Sequence, residues 1–322
     1  MESVELSQKR FQKLSAEVNA FLGKQSWLEL FGKEWRDFFI RAVIIVLGFF
    51  IFRTQGVIFK AVGLFVISYG YFGMALTGTH GTSHFAFARS KKFNKGLAYF
   101  FSDFLAAQSN KWWYYRHVRL HHAHTNAPEE ANVGEFMYPW LNKWVYFFVI
   151  PWFAVGWMIA HSVAYLWGKW SDLLLYLGSA TAGFAAQFAL FWSVVPAGYA
   201  LLCTYIMRSL FAPVFMHMAV FNHIGLEMPR PRALWMPHQT KTTRNLKHNW
   251  FLDFMGGHAF TDCHLEHHLF PGLSNNMLRL VSPLVESHIN QANYGYIEEG
   301  YFTLLFDCLR NYDALFRGQN AD

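Results

Sequence analysis

Sixteen of the 322 residues are histidine, and eight of these fall into three groups spaced as metal ligands are. His80-Gly-Thr-Ser-His84 puts an i, i+4 pair on one helix face, so two imidazoles can point at a common metal. His117-Val-Arg-Leu-His121-His122 repeats that pair and adds a neighbour turned about 100° around the helix, so adjacent histidines face different metals. His264-Leu-Glu-His267-His268 sets His264 on the face of its partners at i+3 and i+4 and again ends in an adjacent pair. One octahedral metal that keeps positions open for oxygen cannot use eight imidazoles, whereas two metals can share them. The arrangement implies a dinuclear centre.

Imidazole suits zinc, copper, iron and nickel alike, so the ligands alone do not choose the metal. The setting does: neutral nitrogen donors beside an apolar, aromatic-rich chain suit oxygen activation next to a hydrocarbon. An unactivated methylene has no acidic proton and no electrophilic carbon, which leaves acid-base and nucleophilic side chains nothing to attack. A redox metal has to do that chemistry, and iron is favoured. Ligating imidazoles donate their other ring nitrogen to a carboxylate or carbonyl, which makes Asp103, Asp262 and Glu266 candidates for that support. His217 and His124 stand near the groups; His217 is read equally as a ligand or a packing residue, and His124, at i+3 from His121, as a packing residue before a ligand. Trp112, Trp113, Tyr114 and Tyr115 can line an acyl-chain tunnel or anchor at a membrane interface. Arg230, Arg232, Lys241, Arg244 and Lys247 can meet a phosphate, coenzyme A or an acidic electron donor, or simply mark the cytosolic side.

The elements that must carry these residues are membrane helices. Hydrophobic residues make up 53% of the chain, aromatic 19% and charged 15%, far below the roughly 25% charge of an ordinary soluble domain. Apolar stretches at about Phe38 to Phe52 and Val57 to Leu76, joined by Arg53-Thr54-Gln55-Gly56, read as a membrane hairpin. Three more follow, at about Trp144 to Trp167, Leu173 to Val195 and Ala197 to Val220. For the tail to meet the middle histidines an even number of these three must cross, and Trp144 to Trp167, with Pro151, His161 and its interfacial aromatics, is taken as the one that does not.

The expected fold is therefore all-α and integral to the membrane, a single domain over 1–322 with four transmembrane helices in two hairpins and a cytosolic helical cap carrying the boxes. Residues 1–36 form a cytosolic N-terminal segment, 38–76 the first hairpin, 77–143 a cytosolic stretch with the first two boxes, 144–167 an interfacial segment, 171–220 the second hairpin and 221–322 a cytosolic region with the third box. The basic N-terminal segment has no secretory signal pattern. Cys203, Cys263 and Cys308 suggest neither a disulfide framework nor a zinc ribbon. The net charge of +6 flanks apolar segments and forms no nucleic-acid reader.

From about Thr77 to Pro283 the chain resembles the membrane fatty acid desaturase and hydroxylase superfamily. Thr261-Asp262-Cys263-His264-Leu265-Glu266-His267-His268-Leu269-Phe270-Pro271 is similar to the third histidine box of acyl-lipid desaturases, and His117 to Asn126 to their second. Arg208 to Met228, with Phe221-Asn222-His223-Ile224-Gly225, resembles the fatty acid desaturase 6 branch. The resemblance implies two irons, with dioxygen as co-substrate, and a ninth ligand at His223. It also suggests an auxiliary histidine at His258. Ala219 stands where stearoyl-CoA desaturases use an asparagine, and His264 where many front-end enzymes have glutamine. With no fused cytochrome b5 motif, the resemblance implies a separate electron donor of cytochrome b5 or ferredoxin type. The implied substrate is a fatty acyl lipid or acyl-CoA, and the implied location in a eukaryote is the endoplasmic reticulum membrane. A di-iron lipid hydroxylase and a non-enzymatic membrane protein that binds metal or lipid remain the alternatives.

Overall fold

The computed structural model describes residues 4–127, 141–227 and 234–316. Arg230 and Arg232 lie outside these. The described chain is mostly helical, and its one extended pairing is a two-residue parallel bridge, Asn245–Leu246 against Glu298–Glu299. The chain divides into two compact units, residues 1–34, 117–146 and 216–322 in one and residues 35–116 and 147–215 in the other.

The second unit holds the long apolar helices. Lys33–Arg53 and Val57–Ser83 are joined by a tight turn in which Gly56 adopts φ +106°. Val57–Ser83 and Trp170–Trp192 each have the length and hydropathy to cross a bilayer. So does Ala197–Phe221, which runs out of this unit and into the first. Its helix breaks at Leu210 and Phe211, because Pro213 has no N–H to donate into the preceding turn. A shorter apolar segment spans Ile150–Leu166.

The expected end of the second apolar stretch at Leu76 is where hydropathy falls and not where the helix ends: the helix continues to Ser83 and carries His80. A π-helical segment, Tyr99–Ala106, lies against Trp170–Trp192. That contact demands glycine at position 183, where a Cβ would come within 1.8 Å of the Phe104 carbonyl oxygen.

The first unit is built around the third box. Val4–Leu22 is amphipathic and buries Leu14, Val18 and Leu22. These pack with Leu265 and Leu269 of the box helix His264–Leu269 and with Val281, Val285 and Ile289 of Asn275–Gln291. Each fully buried aliphatic side chain of this kind stabilises the fold by roughly 1.5–3 kcal/mol. The N-terminal segment, expected only as a cytosolic leader to the first hairpin, is thus part of the scaffold behind the box. All three cysteines are free thiols.

Candidate metal centre

In the first unit four histidines from three segments converge: His121, His223, His264 and His268 offer nitrogens that all lie within 4.8 Å of one another. Nε2 of His223 is 2.9 Å from Nε2 of His264, and Nε2 of His121 is 3.2 Å from Nε2 of His268. The opposite ring nitrogens are already committed. His223 Nδ1 donates to the Thr242 carbonyl at 2.8 Å and His264 Nδ1 to the Ala259 carbonyl at 2.6 Å. A carbonyl can only accept, so Nδ1 carries the proton in each ring and Nε2 presents a lone pair. His268 Nδ1 meets Gln239 Oε1 at 2.9 Å, while Gln239 Nε2 donates to the His122 carbonyl at 3.0 Å, which fixes the amide orientation and the His268 tautomer together.

Lone pairs facing each other at 2.9 Å repel unless a proton or a cation lies among them. Protonation is disfavoured: burial, with the neighbouring imidazoles, holds His223, His264 and His268 well below the usual histidine pKa. The donor set therefore fits a metal cation.

A second group in the same unit brings together His117, His122 and His267, also within 4.8 Å. His117 and His122 approach at 3.3 Å through Nε2, and the His122 and His267 rings cross at 84° with centroids 4.6 Å apart. The sequence pairs His117 with His121 as i and i+4 on an α-helix. The structure instead runs Tyr114–His121 as a π-helix, whose wider turn brings His117 to His122 at i+5 and sends His121 to the other group. In the third box likewise His267 falls in one group and His264 with His268 in the other.

In the second unit His80 and His84 sit at the C-terminal end of Val57–Ser83, both buried, with ring centroids 4.9 Å apart.

Of the residues expected to support the imidazoles, Asp262 bonds one, that of His258, while Glu266 and Asp103 bond other side chains. Glu266 is fully buried and accepts from Tyr296 at 2.6 Å, Ser282 at 2.7 Å and Asn245 at 2.9 Å, tying the box helix to its neighbours. Burial pushes its pKa up. Asp262 binds His258 Nδ1 at 2.6 Å and Arg279 at 2.7 Å. His258 accordingly stands with Asp262 and Cys263, apart from both histidine groups. Asp103 accepts from the backbone and side chain of Asn110, its pKa raised by burial to about 6.

The supporting roles fall instead to the carbonyls of Thr242 and Ala259 and to Gln239. Backbone carbonyls have no sequence signature, and a lone glutamine has a weak one. His217 binds the Tyr301 hydroxyl at 2.7 Å, and His124 belongs to neither group. Of the basic run, Lys241 pairs with the exposed Glu227 at 3.0 Å. Arg244 is buried and bonds the Ile224 carbonyl and Glu299, while its own N–H reaches the Asn222 carbonyl at 3.0 Å, so it braces the turn carrying His223. Trp113 lines a cavity beside His80, whereas Trp112 packs on Trp157 and His161 and Tyr115 on Tyr165.

Buried all-histidine donor groups, in a chain with three described helices long and apolar enough to cross a bilayer, define a metal-binding membrane protein. Comparison with known proteins narrows the class. A profile of the fatty acid desaturase family matches residues 57–300. Fatty acid desaturase 6 of Mus musculus is 30% identical over 302 residues, covering 90% of this chain and 86% of that protein. Its Homo sapiens counterpart is 27% identical over 94% of this chain and 86% of its own length. Fatty acid desaturase 3 of Bos taurus is 26% identical over 72% and 56%. The chain belongs to the fatty acid desaturase family and is an oxidoreductase.

Proposed function

We propose that this protein is a dioxygen-dependent fatty acyl desaturase whose centre is two irons held by His80, His84, His117, His121, His122, His223, His264, His267 and His268. The observation that carries the reading is the convergence of lone-pair nitrogens whose tautomers are fixed from behind by Thr242, Ala259 and Gln239. His80 and His84 enter it from their i, i+4 spacing and their place as the first of three boxes. When bound, the irons would supply the oxidising power that an unactivated methylene requires. The chain's own residues hold the His223, His264 and His268 imidazoles at fixed orientation and bury every one of the nine but the half-buried His121. Removing two hydrogens and reducing dioxygen to water takes two further electrons. A separate carrier of cytochrome b5 or ferredoxin type delivers them. The substrate is an acyl chain on a lipid or coenzyme A, and in a eukaryote the membrane is that of the endoplasmic reticulum.

The reading includes four membrane crossings. Residues 1–34, 117–146 and 216–322 share one compact unit, so an even number of crossings must separate each piece from the next. Between the first two lie Lys33–Arg53 and Val57–Ser83, and the former presents Phe39, Val43, Val46, Leu47 and Phe50 outward, a lipid-facing stripe. Between the last two, Trp170–Trp192 and Ala197–Phe221 make an even pair without Ile150–Leu166. Both hairpins then return to the cytosol, the interfacial segment stays on that side, and the histidine groups belong to a cytosolic cap.

Elemental analysis of the purified chain beside His267→Ala, with acyl-chain mass profiling of cells expressing each, tests the function. The expectation is two irons per chain, lost in the variant together with a product about two mass units lighter than its precursor. A gain of about sixteen would assign a hydroxylase. Zinc or no metal, with unchanged lipids, would sink the oxygenase.

A further inference from the structure

Arg208 lies on the Ala197–Ser209 helix, eleven residues past its start. At 1.5 Å per residue that is roughly 16 Å into the bilayer, near its midplane. The residue is 3% exposed. Among the described residues no carboxylate lies within ion-pair distance of it. Its Nη1 donates to Gln187 Oε1 at 2.5 Å, and its guanidinium carbon stands 3.9 Å from the Phe184 ring centroid and 5.8 Å from that of Tyr71. Among the described residues Nε and Nη2 have no hydrogen-bond partner. These two atoms form the side-on edge of the guanidinium, the edge that receives a carboxylate through two parallel hydrogen bonds.

Arg208 lines a cavity of about 70 Å³ whose wall is otherwise apolar except for Tyr71, Thr79, His80, Gln108 and Trp113, the Tyr71 hydroxyl donating to the Leu105 carbonyl. Thr79 Oγ1 and Gln108 Nε2 are likewise buried without a hydrogen-bond partner. Three polar groups left unsatisfied around one small space are costly unless a ligand completes them. The volume suits a carboxylate with a methylene or two, since a water occupies roughly 30 Å³ in the liquid. Arg208 and Val155 also line a larger apolar cavity of about 760 Å³, in which a hydrocarbon chain can lie. Tyr71 and His80, both on the small cavity, are nine residues apart on one helix, or roughly 13.5 Å along its axis.

We propose that Arg208, with Gln108 and Thr79, forms a carboxylate-binding subsite inside the substrate cavity. It selects a hydrocarbon chain that carries a free carboxylate at the buried end. This deepens the acyl-desaturase reading and rests on it for the identity of the cavity. The carboxylate has two sources: a free fatty acid inserted head first, or the far end of a carrier-bound chain oxidised at its terminus.

The test measures binding and not turnover, so it stands apart from whether the chain desaturates. The purified full chain in detergent is titrated with two matched pairs, hexadecanoic acid against its methyl ester and 15-carboxypentadecanoyl-CoA against hexadecanoyl-CoA. The expected result is a preference of about tenfold for the carboxylate member of one pair, abolished in Arg208→Met. Preference within the first pair assigns the free acid, and within the second the oxidised far end. Equal affinities in both pairs for the wild type, or a preference that survives in Arg208→Met, would overturn the subsite. Should that variant fail to fold, the double variant Thr79→Val, Gln108→Leu reports instead: the preference should fall at least about threefold, and an unchanged preference overturns the proposal.

Discussion

At the scale of single residues, the histidine spacing makes the donor set legible and the supports opaque. Every histidine of the two groups except His223 can be picked out from spacing, because adjacent pairs and i, i+4 pairs leave a pattern; His223 stands alone in the sequence and enters through the family resemblance. The carboxylates Asp103, Asp262 and Glu266 attract attention by type alone, yet Asp103 and Glu266 bond non-histidine side chains and Asp262 bonds the imidazole of His258, while one buried amide is hydrogen-bonded to both groups. Gln239→Leu removes the acceptor for His268 Nδ1 and strands the His122 carbonyl. Metal affinity, read by chelator competition, should fall about 10- to 100-fold. Gln239→Glu keeps the acceptor and should recover part of that loss. Wild-type affinity in the leucine variant would mean that the amide does not orient the site.

At the scale of elements, periodicity locates helices well and their internal geometry poorly. An i, i+4 rule applied to the second box predicts the wrong partner for His117, because nothing in Tyr-Tyr-Arg-His-Val-Arg-Leu-His announces a π turn. The apolar stretch to about Leu76 and the helix to Ser83 end at different residues for a related reason: hydropathy reports the solvent, whereas helix continuation depends on backbone hydrogen bonds that small residues such as Gly78 and Thr79 do not break. Gly183 illustrates the converse, an ordinary apolar-helix glycine in sequence that turns out to be the only side chain compatible with the Phe104 carbonyl. Gly183→Ala forces the π segment off its neighbour and should destabilise by about 2 kcal/mol, lowering Tm by about 5 °C in detergent. Gly178→Ala on the same helix meets nothing within 4 Å and serves as the control. Equal melting of the two variants would remove the close approach as a constraint.

At the scale of the whole molecule, what composition reveals is a membrane protein. What it hides is how the N-terminal helix is tied to the third box. Val4–Leu22 reads as a basic leader, but its buried stripe packs on the third box, a contact separated by some 250 residues that no local pattern encodes. That packing is also what turns a count of apolar stretches into a topology. Among the described residues three helices pass on length and hydropathy, an odd number that would leave the N-terminal helix and the third box on opposite faces of the bilayer. In the proposed topology Lys33–Arg53 is the fourth crossing that restores parity, although Asp37 and Arg41 lower its mean hydropathy. Single cysteines labelled with a membrane-impermeant reagent test this, since the native thiols are buried or half-buried. Gln55→Cys and Val195→Cys should react only from the outer face, and Lys24→Cys, Gly168→Cys and Lys247→Cys only from the cytosolic one. Gly168 is the decisive position, because it follows Ile150–Leu166 directly: reaction from the outer face would make that segment a crossing and would require one of the other apolar helices to stay on the surface.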